Sequence, residues 1–354
     1  MASGPLTSLK ILDFSQLLPG PFCSLLLADM GADVIKVEHP DFGDGLRQMA
    51  FLDEAPGVAF AYLNRNKRSL AIDLKQPDAR ALIQKLVQDY DIVIEGFRPG
   101  VMARLGLDYE SLRRFNPALI YCSISGYGQD GPLASRAGHD LNYISRAGVA
   151  SLSGIGGVPV MPGVQLADMM GAHQAAIGVL AADIHRRQSG EGQFIDISLM
   201  ESTFTMASIY ATGRLSGCSS PEMEQLPLTG KFPHYRFYRC GDGQYLAVAA
   251  LEERFQRRLS ASLGIELAFD SLEALFATRS RDDWYQALQD VDACVEPVLS
   301  LDEVLNDPHL RARRPVIEVG GFSQPAPAIR FSQTPCTDHT PAPALGEHNQ
   351  DLQI

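Results

Sequence analysis

Three short segments carry side chains that could move a proton or attack a carbonyl, and they lie far apart in the chain. Gly138-His139-Asp140-Leu141-Asn142-Tyr143 sets an imidazole beside a carboxylate, Gln165-Leu166-Ala167-Asp168 opens an apolar stretch with an aspartate, and Ala249-Ala250-Leu251-Glu252 closes an apolar run with a glutamate. An imidazole is the side chain that ordinarily titrates between pH 5 and 8, which suits it to general acid–base work. Each residue also has an ordinary structural role. His139 could be a surface or satisfied core histidine. Asp168 could simply cap a helix, and Glu252 could complement the dipole of one. An aspartate at a helix start also sits beside unpaired N–H groups that can hold an oxyanion, where it could serve as base or nucleophile.

The elements that must position these residues follow from periodicity. Leu9–Phe14, Ala32–Val37, Ser69–Leu74, Asp91–Glu95 and Ala118–Ser125 read as strands, with helices predicted over Phe22–Met30 and Pro77–Tyr90. Strands alternating with helices predict an α/β fold with a parallel sheet. A long helix over Asp168–Arg187, a strand over Gln193–Ser198 and a helix over Met200–Leu215 complete a large Rossmann-like domain, 1–215. The polar Gly/Pro-rich segment 216–231 reads as a linker. A smaller α+β domain is expected over 232–310, with a strand at Tyr245–Ala250 and helices at Glu252–Leu263 and Arg281–Asp290, followed by a loop-like Pro-rich tail. The loop after the first strand, Gln16-Leu17-Leu18-Pro19-Gly20-Pro21, is not GxGxxG, so a Rossmann-like start lacks its dinucleotide fingerprint.

Composition narrows the partners. A net charge of −12 disfavours nucleic acid or an anionic membrane as the main partner, though a local basic patch could still hold an anion. Six scattered cysteines without a CxxC pair suggest neither zinc nor a disulfide framework, and point to a reducing, cytoplasmic setting. Leu166 to Ile184 is apolar but contains Asp168, His173 and Asp183, so it reads as a buried helix rather than a membrane span. Basic residues cluster at Arg65, Lys67, Arg68 and Lys75, then at Arg98 and Arg104. Such runs are ordinarily solvated faces, but they could grip phosphates. Met161, Met169, Met170 and Met206 are ordinary core residues or an adaptable acyl pocket.

The ordered motifs LPGPFCSLLLADMGADVIKVEHP, IEGFRPGVMARLGL, SGYGQDGP, SGEGQFIDISLME and DACVEPVLSLDEVLNDPHLRAR span nearly the whole chain. Together they resemble the family III CoA-transferase (CaiB/BaiF) superfamily, and GHDLNY, QLAD and AALE resemble the catalytic set of its α-methylacyl-CoA racemase branch. The resemblance implies His139, Asp168 and Glu252 as catalytic residues. It implies Lys75, Gly96, Phe97, Arg98, Arg104 and Asp140 as contacts to coenzyme A, which enters as part of the acyl-CoA substrate with no other cofactor and no metal. It also implies an interlocked homodimer in which the C-terminal tail (311–354) joins the large domain and Glu252 serves the partner's site.

Two reactions remain open. A racemase removes the acidic α-proton of a 2-methylacyl-CoA and returns one to the other face. This needs an acid/base group on each side, His139 opposite Asp168 with Glu252 in support, and N–H donors near Asp168 for the enolate oxygen. A CoA-transferase would instead use Asp168 to form a mixed anhydride and pass CoA to another carboxylate. The His139–Glu252 pair favours the racemase. The run Met169-Met170-Gly171-Ala172-His173 departs from the Gly-rich racemase pattern, and Gly154-Ile155-Gly156-Gly157-Val158-Pro159 looks more like a transferase.

Overall fold

Strand β1 (Lys10–Asp13) is followed by α1 (Pro19–Asp29), β2 (Asp33–Glu38), α2 (Val58–Leu63), β3 (Lys67–Ala71), α3 (Pro77–Leu86) and β4 (Ile92–Glu95). Helices α4 (Val101–Leu105) and α5 (Tyr109–Leu112), strand β5 (Ile120–Ser125) and helix α6 (Asp140–Arg146) come next. The computed structural model describes residues 3–49, 57–219, 223 and 225–352. The chain divides into two units. The first comprises Met1–Ala147, Pro162–Ser208 and Arg314–Ile354, and the second Gly148–Met161 and Ile209–Arg313.

After α6 the chain leaves the first unit for a short excursion that carries the hairpin β6 (Gly154–Ile155) and β7 (Val158–Pro159). It returns with α7 (Leu166–Ser189), β8 (Phe194–Ser198) and α8 (Leu199–Phe204). The six-stranded sheet of this unit is parallel throughout, with the order β3-β2-β1-β4-β5-β8. The inner strands β4 and β5 are buried at every residue, as expected where helices cover both faces. Edge strand β8 alternates exposed Phe194 and Asp196 with half-buried Ile195 and Ile197. Helix α7 buries a stripe of small residues, Ala167, Gly171, Ala172, Ala175 and Ala176. A Cβ at Gly171 would lie 2.2 Å from Leu199 Cδ2, so glycine is what lets α8 pack closely.

The β1–α1 loop is held from beneath by buried charges. Lys36 pairs with Asp44 at 2.8 Å and donates to the Ser15 carbonyl at 3.0 Å, while Asp44 accepts the Leu17 N–H at 3.2 Å. Leu17 adopts the left-handed region (φ 63°), an unusual conformation for leucine that this network holds in place. Lys67 lies beside Asp13 at 3.3 Å and donates to Asn64 Oδ1 and the Pro21 carbonyl, both at 3.0 Å. Burial pulls the Lys67 ammonium down to about 8, against the pull of Asp13. Part of the basic cluster expected to face solvent is therefore structural. Arg65 is buried against Asp29 at 2.6 Å, and Arg68 pairs with Asp33 at 2.7 Å.

The structure departs from the sequence expectation in several places. The helix expected over Met200–Leu215 breaks into α8, a 3-10 turn at Thr205–Ala207 and α9 (Ser208–Leu215). Thr203 and Thr205 donate their hydroxyls to the Leu199 and Ser202 carbonyls, a local competition that disturbs the helical ladder. The division into units also differs from the expected boundaries 1–215, 216–231 and 232–310. The excursion Gly148–Met161, helix α9 from Ile209 onward and the segment read as a linker all belong to the second unit, which runs to Arg313. Residues 220–222 and 224 of that segment lie outside the described residues.

The C-terminal tail is not all loop. It forms the hairpin β12 (Val316–Val319) and β13 (Phe322–Pro325), turned by Gly320-Gly321 at φ 61° and 82°. Arg65 ties this hairpin down through Gln324 Oε1 at 3.1 Å and the Pro325 carbonyl at 2.9 Å. Further on, the Ala71 N–H donates to Asn349 Oδ1 at 2.9 Å, so the tail runs along the edge strand β3.

The second unit contains the antiparallel strands β9 (Tyr235–Arg239), β10 (Tyr245–Ala249) and β11 (Val295–Pro297), in the order β11-β10-β9. Helices α10 (Glu253–Leu263), α11 (Phe269–Phe276) and α12 (Arg281–Leu288) share a core with them around Tyr238, Leu246, Phe276 and Trp284. Among the described residues no helix is long and apolar enough to cross a membrane.

Candidate active site

Asp168 was expected at the cap of its helix, but Gln165 holds the cap position and Asp168 sits within the first turn of α7. The cap comes from another element. Asp140 Oδ1 accepts the N–H groups of Ala167 at 2.7 Å and Asp168 at 3.2 Å, so the start of α6 is clasped to the start of α7. His139 immediately precedes Asp140 as the cap residue of α6, its own N–H donating to Asn142 Oδ1 at 3.0 Å. The imidazole is exposed. One hydrogen-bonded carboxylate therefore ties the histidine-bearing and aspartate-bearing helix ends together, although 28 positions separate Asp140 from Asp168.

The clasp sets the electrostatics. The Asp168 carboxyl is pushed up to about 7, first by burial and then by the negative Asp140 beside it. No hydrogen bond among the described residues uses up that carboxyl. Tyr143, one turn into α6, packs edge-on against Tyr127 with ring centroids 5.2 Å apart and donates to the Gly138 carbonyl at 2.5 Å. Its phenol is raised to about 12 by burial and then by Asp168, while Arg98 works the other way. Tyr143 thus reports both Asp168 and Arg98 nearby. Gly126 and Gly138 make room for its ring, since a Cβ at either would fall 2.5 Å or 2.8 Å from Tyr143 Cε1.

The residues expected to hold CoA fall in two groups. Gly96, Phe97 and Arg98 form the loop after β4, at the carboxyl end of the parallel sheet where open α/β folds place ligands. Arg98 is exposed and Phe97 is half-buried against the core. Arg104 on α4 is exposed, and a Cβ at Gly100 would lie 3.4 Å from its guanidinium. Lys75 is exposed after β3, its N–H bonded to Asp73 Oδ1 at 3.0 Å. These cations are available to phosphates in a way Arg65 and Lys67 are not. Asp140, placed with the CoA contacts, has one oxygen engaged by α7.

Glu252 lies in the second unit as the cap residue of α10, exposed and without a side-chain capping bond. It lies close enough to the Cys294 thiol to help burial raise it. Met161 and Met206 are exposed, not core. Sequence reasoning quoted Tyr143 but gave it no role, and it missed the Asp140 clasp and the buried acid Glu95. A carboxylate directly after the histidine in GHDLNY was the available signal.

The six-stranded parallel sheet without a dinucleotide fingerprint, with His139 and Asp168 on two clasped helix ends, has the fold of the CaiB/BaiF class of proteins. Residues 6–349 match the family described as CoA-transferase family III, and the chain belongs to it. It is 35% identical to an alpha-methylacyl-CoA racemase from Homo sapiens, covering 98% of this chain and 92% of that protein. It is 34% identical to a succinate–glutarate CoA-transferase from Agrobacterium fabrum, covering 98% and 94%. A crystal structure of a CAIB/BAIF family protein from Brucella suis superposes with a TM-score of 0.88 at 31% identity, covering 99% of both chains. Racemases and CoA-transferases both stand among the relatives, so the family fixes the enzyme type and leaves the reaction to the site.

Proposed function

We propose that the protein epimerises the α-carbon of 2-methylacyl-CoA thioesters by moving one proton off and another on. The observation that carries this reading is the Asp168 carboxyl held near neutrality, with no hydrogen bond among the described residues to occupy it. A group that must both accept and return a proton works best with its pKa near the working pH, whereas an attacking carboxylate works best fully ionised. His139 supplies the second acid/base group, on the helix end clasped to that of Asp168. Asp140 takes the Ala167 and Asp168 N–H groups that the sequence reading assigned to the enolate oxygen. Helix geometry leaves the Leu166 N–H, at the first position of α7, as the donor for that oxygen. Lys75, Arg98 and Arg104 hold the CoA phosphates, with Gly96 and Phe97 completing the contact. Proton transfer between carbon and protein asks for no cofactor beyond the CoA carried by the substrate. The chain works as a homodimer in which Glu252 supports the partner's site.

The second reading is CoA transfer through an Asp168 mixed anhydride, favoured by the transferase relative at nearly the same identity. One experiment separates them. In deuterated water, with a 2-methylacyl-CoA and no acceptor acid, the racemase incorporates deuterium at the α-carbon and loses optical purity. Turnover that begins only when a free carboxylate is added would overturn the proposal. His139→Ala should abolish the exchange.

A further inference from the structure

Glu95, the last residue of β4, is a buried acid that the proposed reaction does not use. Its Oε2 accepts the Phe97 N–H at 2.7 Å, and its Oε1 accepts the Ser123 hydroxyl from the neighbouring strand β5. Ser123 Oγ in turn receives Gln129 Nε2 at 2.8 Å, and the Gln129 N–H is anchored on Asp196 Oδ2 at 3.0 Å. Glu95 also lines a cavity of about 430 Å³ with Arg98, Gln129, Tyr109 and Phe194. The loop Gly96–Gly100 thus leaves the sheet directly from this carboxyl.

As the bonds run here, both Glu95 oxygens accept. A backbone N–H can only donate, and Ser123 Oγ, already receiving Gln129, has its own proton left to give. A carboxylate accepts both bonds at once; a proton on Oε2 would face the Phe97 N–H, and a proton on Oε1 would turn the Ser123 hydroxyl round to accept, leaving its own proton without this partner. We infer that Glu95 is the positioning residue for the Gly96–Gly100 loop, and that its ionised form holds the loop in the shape that binds the CoA moiety. The inference rests on the acyl-CoA reading above. It goes beyond that reading by making ligand affinity depend on a proton held away from the reacting carbon.

The surroundings set where that proton titrates. Burial pushes the Glu95 carboxyl up to about 7; the Ser123 and Phe97 bonds pull it down, and Asp196 on β8 pushes it up again. Tyr121 and Cys122 on β5 feel its charge, Arg98 faces the same cavity from the loop, and Asp108 and Glu110 line it from the α5 side. The folded value lies above the ordinary one, so the loop-holding carboxylate is lost as pH falls through about 7.

The test is the dissociation constant of coenzyme A, measured by calorimetry from pH 5.5 to 8.5 on the full-length protein, E95Q and E95A. The ligand's terminal phosphate titrates near pH 6 and Asp168 near 7, but both remain in E95Q, so the difference between its profile and the wild type's isolates Glu95. Affinity of the wild type should strengthen with pH by up to tenfold more than that of E95Q. Untying the loop in E95A should weaken binding roughly tenfold to a hundredfold at pH 8, the range for one charge-assisted hydrogen bond. Superimposable pH profiles for the wild type and E95Q overturn the inference, and E95Q decides this even if E95A fails to fold. Absence of CoA binding by the wild type would instead bring down the acyl-CoA reading, and the inference with it.

Discussion

Replacing Asp168 by asparagine should abolish proton exchange and, at the same time, make the protein more stable above neutral pH. The carboxyl is raised from 3.8 to about 7 by burial and by Asp140, so folding holds a proton there that the unfolded chain has released. Between those two values the wild type loses stability as pH rises, because the folded state binds more protons than the unfolded one. The gap of about three pH units corresponds to about 4 kcal/mol, a ceiling because the side chain keeps some contact with water. The amide of the D168N variant would carry no charge to desolvate, and the backbone N–H at that position would stay bonded to Asp140. The two proteins should therefore melt alike near pH 4. The variant should gain steadily to pH 7 and then hold a constant advantage, with half the ceiling amounting to a few degrees in Tm. Thermal unfolding at pH 4.5, 6 and 8, followed by fluorescence, reads this directly. An inactive variant no more stable than the wild type at pH 8 would refute the idea that the site stores its reactivity as a destabilised carboxylate.

Three further outcomes follow from the same geometry. Asp140→Asn keeps an oxygen to cap α7 but removes the negative neighbour, so the pH–rate limb assigned to Asp168 should move to lower pH. A pH–rate profile of α-proton exchange that does not move would contradict that assignment. Gly126→Ala would drive a methyl to 2.5 Å from the Tyr143 ring, so exchange should fall at least tenfold while the overall fold survives, as circular dichroism would report. Finally, co-expressing inactive D168N and E252Q chains tests the homodimer. If Glu252 acts on the partner's site, a mixed dimer regains one intact site and a measurable fraction of activity; if it acts within its own chain, every site stays dead.

The alternation of strands and helices made the sheet legible. β1 to β5 lie within a few residues of the runs Leu9–Phe14, Ala32–Val37, Ser69–Leu74, Asp91–Glu95 and Ala118–Ser125, because β-branched runs between helical stretches have few other uses. What stayed hidden was long-range pairing. Nothing local marks Arg65 and Lys67 as buried partners of Asp29 and Asp13 rather than solvated cations. The hairpin at 316–325 was hidden by surrounding prolines, although Gly320-Gly321 between two short runs is an ordinary turn signal. At the site, residue types pointed to His139 and Asp168, but the bond that joins their helices comes from Asp140, whose partners lie 27 and 28 positions away. Spacing along one helix can be read from a sequence; a clasp between two helices cannot.

The fourteen-residue excursion between Ala147 and Pro162 parts the chain between the histidine and the aspartate. Ordinarily such a detour would let mechanical slack enter between the two groups proposed to cooperate. The Asp140 staple short-circuits it, because the two helix ends are joined across a few ångströms whatever the intervening backbone does. The detour can therefore change length and composition without altering the bond that joins the two helix ends.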